Sequence, residues 1–388
     1  MKLTLPQSRN NEIQKVRVLI VAPSLQIRGG QAVQAQHLVR HLSDEPSVEV
    51  SFLPHNPRLP GPLSFLQSIK YVRTIVTSLL YYLMLVLRIP QYDVIHIFSA
   101  SYFSFLLAPA PAVLIAKWFG KKTVLNYRSG EAEDHLRTWP RTSIPILEMA
   151  DELVVPSEYL VNTFKKFGLE AKAIANVIDF ERFRFSERQP LQPRFLSNRN
   201  LYPLYNIACI LRAFRIIQEK FPEATLKIAG DGQQREYLKD LARDLGLRNV
   251  DFLGSVAPEE MSKLYDEAHI FLNSPNIDNL PGSILDSFAS GVPVLTTCAG
   301  GIPYIVTHER TGLLVPRNDA EAMAASAIKL LESPELSTRI VRNAHRACEL
   351  YSWSAVRWKW LNLYRQLTKQ TVKADAQLDK LHQPSYLL

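Results

Sequence analysis

The stretch NSPNIDNLPGSILDSFASGVPVLTT, residues 273–297, decides how this chain is read. An apolar run at 269–272 leads into a loop, the loop into a helical pattern, and that pattern into a second apolar run at 292–296. Two acids, Asp278 and Asp286, flank the Pro281-Gly282 turn that opens the helix. In an open α/β sheet small molecules bind where strands end and helix N-termini point, because the unpaired N–H groups there favour anions. Gly282, Ser283 and Ile284 are expected to present such groups.

The same alternation of strand and helix extends outward in both directions. VRVLIVAP (16–23), VEVSFL (48–53), DVIHIF (93–98), KTVLNY (122–127) and ELVVPS (152–157) form one series. RFLSN (194–198), TLKIAG (225–230), VDFLG (250–254), HIFLNS (269–274), PVLTT (293–297) and GLLVP (312–316) form another. Short β-rich runs separated by longer helical patterns imply parallel sheets covered by helices. Between the two series ERFRFSERQPLQPR (181–194) is polar and carries Pro190 and Pro193, which marks a domain boundary. At 388 residues the chain suits two cores of roughly 150 to 200 residues. The fold class expected is therefore α/β, with two Rossmann-like domains, 1–185 and 194–350, facing across a cleft. YSWSAVRWKWLNLYRQL (351–367) carries three tryptophans on a helical pattern and reads as a closing helix; the tail at 368–388 reads as loose.

Composition narrows the function classes. Forty-five Lys and Arg against 37 Asp and Glu give a net charge of +8, partly clustered at Lys117, Lys121 and Lys122. Such a surface suits phosphates or anionic lipid, and equally a solvated basic face. The three cysteines, Cys209, Cys298 and Cys348, form no close-spaced pair, so neither a disulfide framework nor a zinc site is expected, and a reducing cytosol fits. The first fifteen residues lack a signal peptide's apolar core. Residues 74–87, TIVTSLLYYLMLVL, lie between Arg73 and Arg88 and fall short of the ~20 residues of a spanning helix. They read as a buried or partner-facing helix, with a membrane-surface helix as the alternative.

Several chemistries are disfavoured by what the sequence lacks. Ile27-Arg28-Gly29-Gly30 follows the first strand, where Gly29 and Gly30 would let backbone N–H groups reach a phosphate or simply make a tight turn. Gly230-Asp231-Gly232 also follows a strand, but neither site completes G-x-G-x-x-G, and there is no P-loop, no H-x-x-x-H pair, no D-x-D pair and no G-x-S-x-G elbow. Dinucleotide, ATPase, metal-centred and serine-hydrolase readings are left without support, and no nucleic-acid partner is expected. Any bound diphosphate must be neutralised by helix N-termini and by cations at strand ends, of which Arg199 (FLSNRNLYPLYN) and Arg128 (NYRSGEAEDHL) are the candidates.

Taken together, IRGGQAVQAQHLVRHL, VPSEYLVNTF, IANVIDFERF, IAGDGQQREYLKDLARDLGLRNVDFLGSV, DNLPGSILDSFASGVPVLTTCAGGIPYIV and TGLLVPRNDAEAMA resemble the retaining glycosyltransferases of family 4, which have the GT-B fold. The resemblance spans nearly the whole chain. The family pairs two glutamates across seven residues, and Asp278 and Asp286 keep that spacing in a D-N-L-P variant of the first segment. The resemblance implies that Asp278 meets the donor sugar, Asp286 the nucleotide ribose, and Asn279, Leu280, Pro281, Gly282 and Ser283 the sugar and diphosphate. It implies further that Arg199 and Asn200 meet the diphosphate and that Gly232 and Phe252 line the base pocket through backbone groups. Three departures stand out. Each aspartate reaches about 1.5 Å less than a glutamate, Tyr205 stands where the family has a diphosphate-binding lysine, and Tyr304 stands where it has a glutamate. Arg128, at the position of a family histidine, would then supply the missing charge from across the cleft.

The expectation is thus a metal-independent retaining glycosyltransferase, with a nucleotide sugar as donor and a glycan or lipid-linked acceptor. It would be cytoplasmic, with peripheral membrane contact through 74–87 and the basic surface, and would serve cell-surface polysaccharide or glycoconjugate synthesis. The rivals are a catalytically degenerate binding or assembly protein and a nucleotide-sugar epimerase.

Overall fold

The computed structural model describes residues 15–26, 29–59, 61–69 and 71–368, so the N-terminal segment, Ile27-Arg28 and nearly all of the tail expected to be loose lie outside the described residues. The fold is the two-sheet α/β architecture expected. The first sheet comprises β1 (Val16–Ala22), β2 (Val48–Pro54), β3 (Val94–Ser99), β4 (Lys122–Tyr127), β5 (Glu152–Val155) and β6 (Lys172–Ala173), in the order 2-1-3-4-5-6. The second comprises β7 (Arg194–Asn198), β8 (Thr225–Ala229), β9 (Val250–Gly254), β10 (Ile270–Asn273), β11 (Val294–Thr297) and β12 (Leu313–Val315), in the order 12-11-10-7-8-9. Every strand pair is parallel. Parallel strands are buried on both faces, which explains runs such as Val16–Ala22 with hardly a polar residue.

Side-chain alternation along β1 shows how each face is covered. Leu19 and Val21 pack with Tyr81, Leu85 and Val113 on one side. Val18 and Ile20 pack on the other with Leu38, Trp360 and Tyr364. The last two belong to the Trp353–Thr368 helix, so the closing helix leaves the second sheet and seals a face of the first. Trp353 stacks on His41 with centroids 4.9 Å apart and donates to Glu45 at 3.2 Å.

The chain passes between the cores at Val177 and Ile178, which pack with the first and second respectively. This crossing comes before the polar stretch chosen from sequence. On the return, Tyr351 offers its carbonyl to the Ile178 N–H at 2.9 Å, so both crossings run side by side.

The apolar segment at 74–87 is the main correction to the sequence expectations. It forms the helix Val72–Arg88, extended by a 3₁₀ turn (Ile89–Gln91) to a 20-residue apolar unit over Val72–Gln91, and only 17% of its most apolar 18 residues are buried. The segment is thus neither short of spanning length nor a buried helix. Tyr81 and Leu85 face the core, while Ile75, Leu79, Leu83 and Leu87 face outward. The segment is apolar all round, so its period could not reveal which side is covered.

Candidate functional site

In each sheet the strand order reverses beside the first strand of the series, β1 and β7, and the crevice outside the carboxyl ends there is the expected ligand site. The two crevices face one another. Arg199 follows β7, Gly230 follows β8, Asp278 follows β10 by a short loop, and Arg128 follows β4 in the opposite sheet.

The loop 274–281 bridges the sheets. Its start is fixed by Thr297 Oγ1 on the Pro275 carbonyl (2.6 Å) and by the Asn276 N–H on the Leu204 carbonyl (2.8 Å). At Asp278 the backbone threads between glycines of both halves. A Cβ on Gly130 would lie 3.4 Å from the Asp278 carbonyl carbon, and one on Gly300, at φ +53°, would lie 2.1 Å from its carbonyl oxygen. Only glycine permits the approach at Gly300, whereas the one at Gly130 is an ordinary contact. Beyond it, Ser157 Oγ donates to Asn279 Oδ1 and Asn176 Nδ2 donates to the Leu280 carbonyl at 3.0 Å, so the first half grips the loop twice. Asn279 Nδ2 is buried without a partner among the described residues. Pro281 then opens the Gly282–Ser290 helix. The Ile284 N–H turns back onto the Pro281 carbonyl at 3.2 Å, so of the three donors expected, Gly282 and Ser283 have no acceptor among the described residues and Ile284 has one.

Arg199 and Asp278 form a nearly buried ion pair, with side chains 10% and 14% exposed. The guanidinium also lies over the Tyr205 ring, 4.0 Å from its centroid, and reaches Ser283 Oγ at 3.4 Å. Tyr205, at the position where the resemblance implies a second cation, is thus a stacking platform for Arg199. Burial pushes the Tyr205 phenol up, with Arg199 opposing, so the platform stays neutral. The second Asp278 oxygen accepts the Asn279 N–H at 2.8 Å.

Arg128 does not stand in the cleft as the free charge expected of it. It is half-buried, lies over Phe98 at 5.1 Å, and donates to Asn126 Oδ1 (3.4 Å) and to Asn176 Oδ1. Burial lowers its pKa to about 9. Through Asn176 it braces the Leu280 carbonyl, so it acts on the loop at second hand. The chain of contacts runs deeper, since Asn126 Nδ2 meets His96 at 3.1 Å and His96 meets the Tyr364 hydroxyl at 2.7 Å. Burial holds His96 down to about 3, and the neutral ring links the closing helix to the site. Asn176 and Ser157 were missed as functional candidates, although both stand in segments that carried the resemblance, IANVID and VPSEYL.

Asp286 lies on the Gly282–Ser290 helix, half-buried, and its carboxylate has no hydrogen-bond partner or ion pair among the described residues. Burial raises its pKa to about 7, against a smaller opposing pull from Arg182. It is a carboxyl poised near neutrality and open to accept hydroxyls.

The glycine loops differ from expectation. The Gly230 N–H is taken by the Gly254 carbonyl at 2.7 Å and the Gly232 N–H by Asp231 Oδ1 at 2.8 Å. Phe252 packs on the second core while its carbonyl accepts from Arg235 at 3.3 Å. Gly232 and Phe252 thus have their backbone groups engaged within the domain and present shape rather than free donors. Asn200 is exposed on the loop after β7. Gly29 caps and Gly30 opens the Gly30–Ser43 helix, and nothing lies within 4 Å of where a Cβ would stand on either. Tyr304 crosses to the first half, accepting from Asn162 at 3.2 Å. Among the described residues no three His, Cys, Asp or Glu side chains converge as a metal set.

Residues 179–347 match the family model described as "Glycosyl transferases group 1". The chain is similar to the uncharacterized glycosyltransferase MJ1607 of Methanocaldococcus jannaschii, 33% identical over 162 residues, 41% of each chain. It is also similar to the amylovoran biosynthesis glycosyltransferase AmsK of Erwinia amylovora, 30% identical over 225 residues, 54% of this chain and 55% of that one. The matches span about half or less of the length of these relatives. Among solved structures, Anabaena Alr3699/HepE in complex with UDP and glucose superimposes with a TM-score of 0.67 at 17% identity, over 90% of this chain and 99% of that one, a likeness of fold. The fold is thus GT-B, and residues 179–347 within it are similar to the group 1 glycosyl transferases.

Proposed function

We propose that this chain is a group 1 glycosyltransferase that moves a sugar from a nucleotide-sugar donor to a glycan or lipid-linked acceptor with retention of anomeric configuration. It would work without a metal, in the cytoplasm at the inner face of the membrane, in polysaccharide or glycoconjugate synthesis. The observation that carries this reading is the set of groups around the Gly282–Ser290 helix start: Arg199 held on Asp278, and two N–H groups and the Asp286 carboxylate that have no partner among the described residues. Such a set suits a diphosphate between a sugar and a ribose.

In this reading Asp286 accepts the ribose hydroxyls and Asp278 a sugar hydroxyl. Arg199 and the Gly282 and Ser283 N–H groups meet the diphosphate. The acceptor oxygen attacks the anomeric carbon on the face from which the diphosphate leaves. The breaking C–O bond gives its electron pair to the diphosphate, which takes the acceptor's proton. Charge develops on the leaving group, so prepositioned donors lower the barrier. The paired crossings at 178 and 351 would let the halves close and exclude water, whose attack on the donor is the competing reaction.

Tyr205 favours a second reading. With the lysine replaced by a ring and Arg199 neutralised by Asp278, a chain that binds the donor without turning it over has a physical basis. Calorimetry with a panel of nucleotide sugars, with Arg199→Ala and Asp278→Ala alongside, separates the possibilities. Failure of every donor to bind sinks the transferase reading, and binding without transfer to any acceptor leaves the second.

A further inference from the structure

The apolar face of the Val72–Arg88 helix has a definite geometry. The Tyr81 and Tyr82 hydroxyls donate to the Ala108 (3.0 Å) and Leu107 (3.3 Å) carbonyls, pinning this helix across the junction of the Tyr102–Leu107 and Pro109–Trp118 helices. Opposite Tyr81 and Leu85, the side chains of Ile75, Leu79, Leu83 and Leu87 repeat every four residues and are each 56–62% exposed. The adjoining helices add Phe103 and Trp118, 70% and 76% exposed. Single exposed apolar residues are ordinary, but a continuous stripe with aromatic neighbours marks an interaction surface.

Charge identifies the partner. The helix carries Arg73 and Arg88, and the adjoining helix and the segment after it carry Lys117, Lys121 and Lys122, against Asp93 and Asp151, the latter shared by Lys117 (2.6 Å) and Lys122 (3.1 Å). Asp93 is itself occupied by Arg17 at 2.8 Å. Arg73, in the first turn of the helix, is exposed. Two copies of so basic a face would repel one another, whereas an anionic lipid surface attracts it.

Topology decides between spanning and lying flat. The helix connects β2 to β3, and both strands pair with β1 in one sheet, so its two ends stay on the same side. We propose that this face seats on a bilayer containing anionic lipid, with the helix in the plane of the headgroups, its leucines inserted and Tyr81 and Leu85 kept in the protein. The proposal deepens the peripheral placement given above and rests on it for its biological meaning, but it concerns a surface outside the donor site.

The test is co-sedimentation of the full chain, without any sugar donor, with phosphatidylcholine vesicles carrying phosphatidylglycerol and with pure phosphatidylcholine vesicles. Pelleting with the mixed vesicles is expected, and partitioning should weaken about tenfold or more on Leu79→Glu with Leu83→Glu. Arg73→Glu and high salt should weaken it less. Circular dichroism and calorimetric donor binding should be unchanged in the double variant. If that variant unfolds, quenching of tryptophan fluorescence by brominated phosphatidylglycerol, lost in Trp118→Ala, carries the test instead. The proposal is overturned by absence of pelleting, by equal pelleting on uncharged vesicles, by an unaffected double variant, or by a dimer that the double variant abolishes. Because no donor is present, failure here leaves the transferase reading standing, and failure of donor binding leaves this one.

Discussion

Asp286→Asn should stabilise the protein at high pH while damaging its proposed donor site. Burial raises the Asp286 carboxyl from its ordinary 3.8 to about 7. Between those values the unfolded chain has released the proton and the folded chain still holds it, so folding is increasingly penalised as pH rises. The contribution is fully present below 3.8 and lost through 7. Roughly 3 units at 1.36 kcal/mol each set an upper limit of about 4 kcal/mol, and partial exposure of the group brings this to roughly 2 kcal/mol. An asparagine of the same shape carries no such penalty. Chemical denaturation without nucleotide should therefore show the variant gaining on the wild type by roughly 2 kcal/mol between about pH 4 and about pH 8. In calorimetry, wild-type affinity for a nucleotide sugar should fall as the carboxyl protonates below about pH 7, approaching tenfold per unit, and the variant should show a weak and flat profile. A stability difference that is the same at both pH values would refute the reasoning about burial. An unchanged pH profile of binding in the variant would refute the ribose contact.

Other positions give sharper structural tests. Asn176→Ala leaves the Leu280 carbonyl and Arg128 without their shared partner; a loss of about 1 to 3 kcal/mol in stability and faster hydrogen exchange at 278–284 are expected, and unchanged exchange would remove Arg128 from the bracing role. Gly300→Ala puts a Cβ 2.1 Å from the Asp278 carbonyl oxygen at φ +53°, so thermal denaturation should reveal a loss of at least about 2 kcal/mol, and a near-neutral effect would mean the loop yields there. Tyr205→Leu removes the ring under Arg199 and should weaken donor binding about three- to tenfold, with little effect on stability; undiminished binding would show the stack to be incidental.

Much of this architecture was legible because it rests on local rules. The β1 and β10 segments read as buried strands from apolar runs alone, and Asp278 and Asp286 could be placed beside a helix start from Pro281 and Gly282. What stayed hidden depends on partners far apart in sequence. Nothing near Arg128 signals that its guanidinium binds Asn176, or that Asn176 then holds Leu280. The N–H groups of Gly230 and Gly232 looked free because the Gly254 carbonyl and the Asp231 carboxylate that take them are chosen by the strand register and the turn. The face of the Val72–Arg88 helix was undetermined for the opposite reason: with apolar residues on every side, no period distinguishes core from surface.

The aspartate at 278 takes on a different meaning in this geometry. A shorter acid reads from sequence as a loss of reach toward a sugar. In the folded loop, Asp278 Oδ1 accepts the N–H of the next residue at 2.8 Å while Oδ2 takes Arg199. Short side chains such as Asp and Asn make local bonds of this kind to neighbouring backbone N–H groups, and an extra methylene would carry the oxygen away from so near a donor. The substitution thus trades reach for a loop whose shape is set before any ligand arrives. The close approach at Gly300 and the grip of Ser157 and Asn176 fix the same loop. Tyr205 belongs to this pattern, because a ring that stacks on Arg199 orients the remaining cation where a lysine would have added a second. Where the resemblance implies a longer acid, an arginine and a lysine, this chain holds one acid and one arginine, each fixed by partners. An immobilised pair loses less entropy when a diphosphate binds, which offsets part of the missing charge.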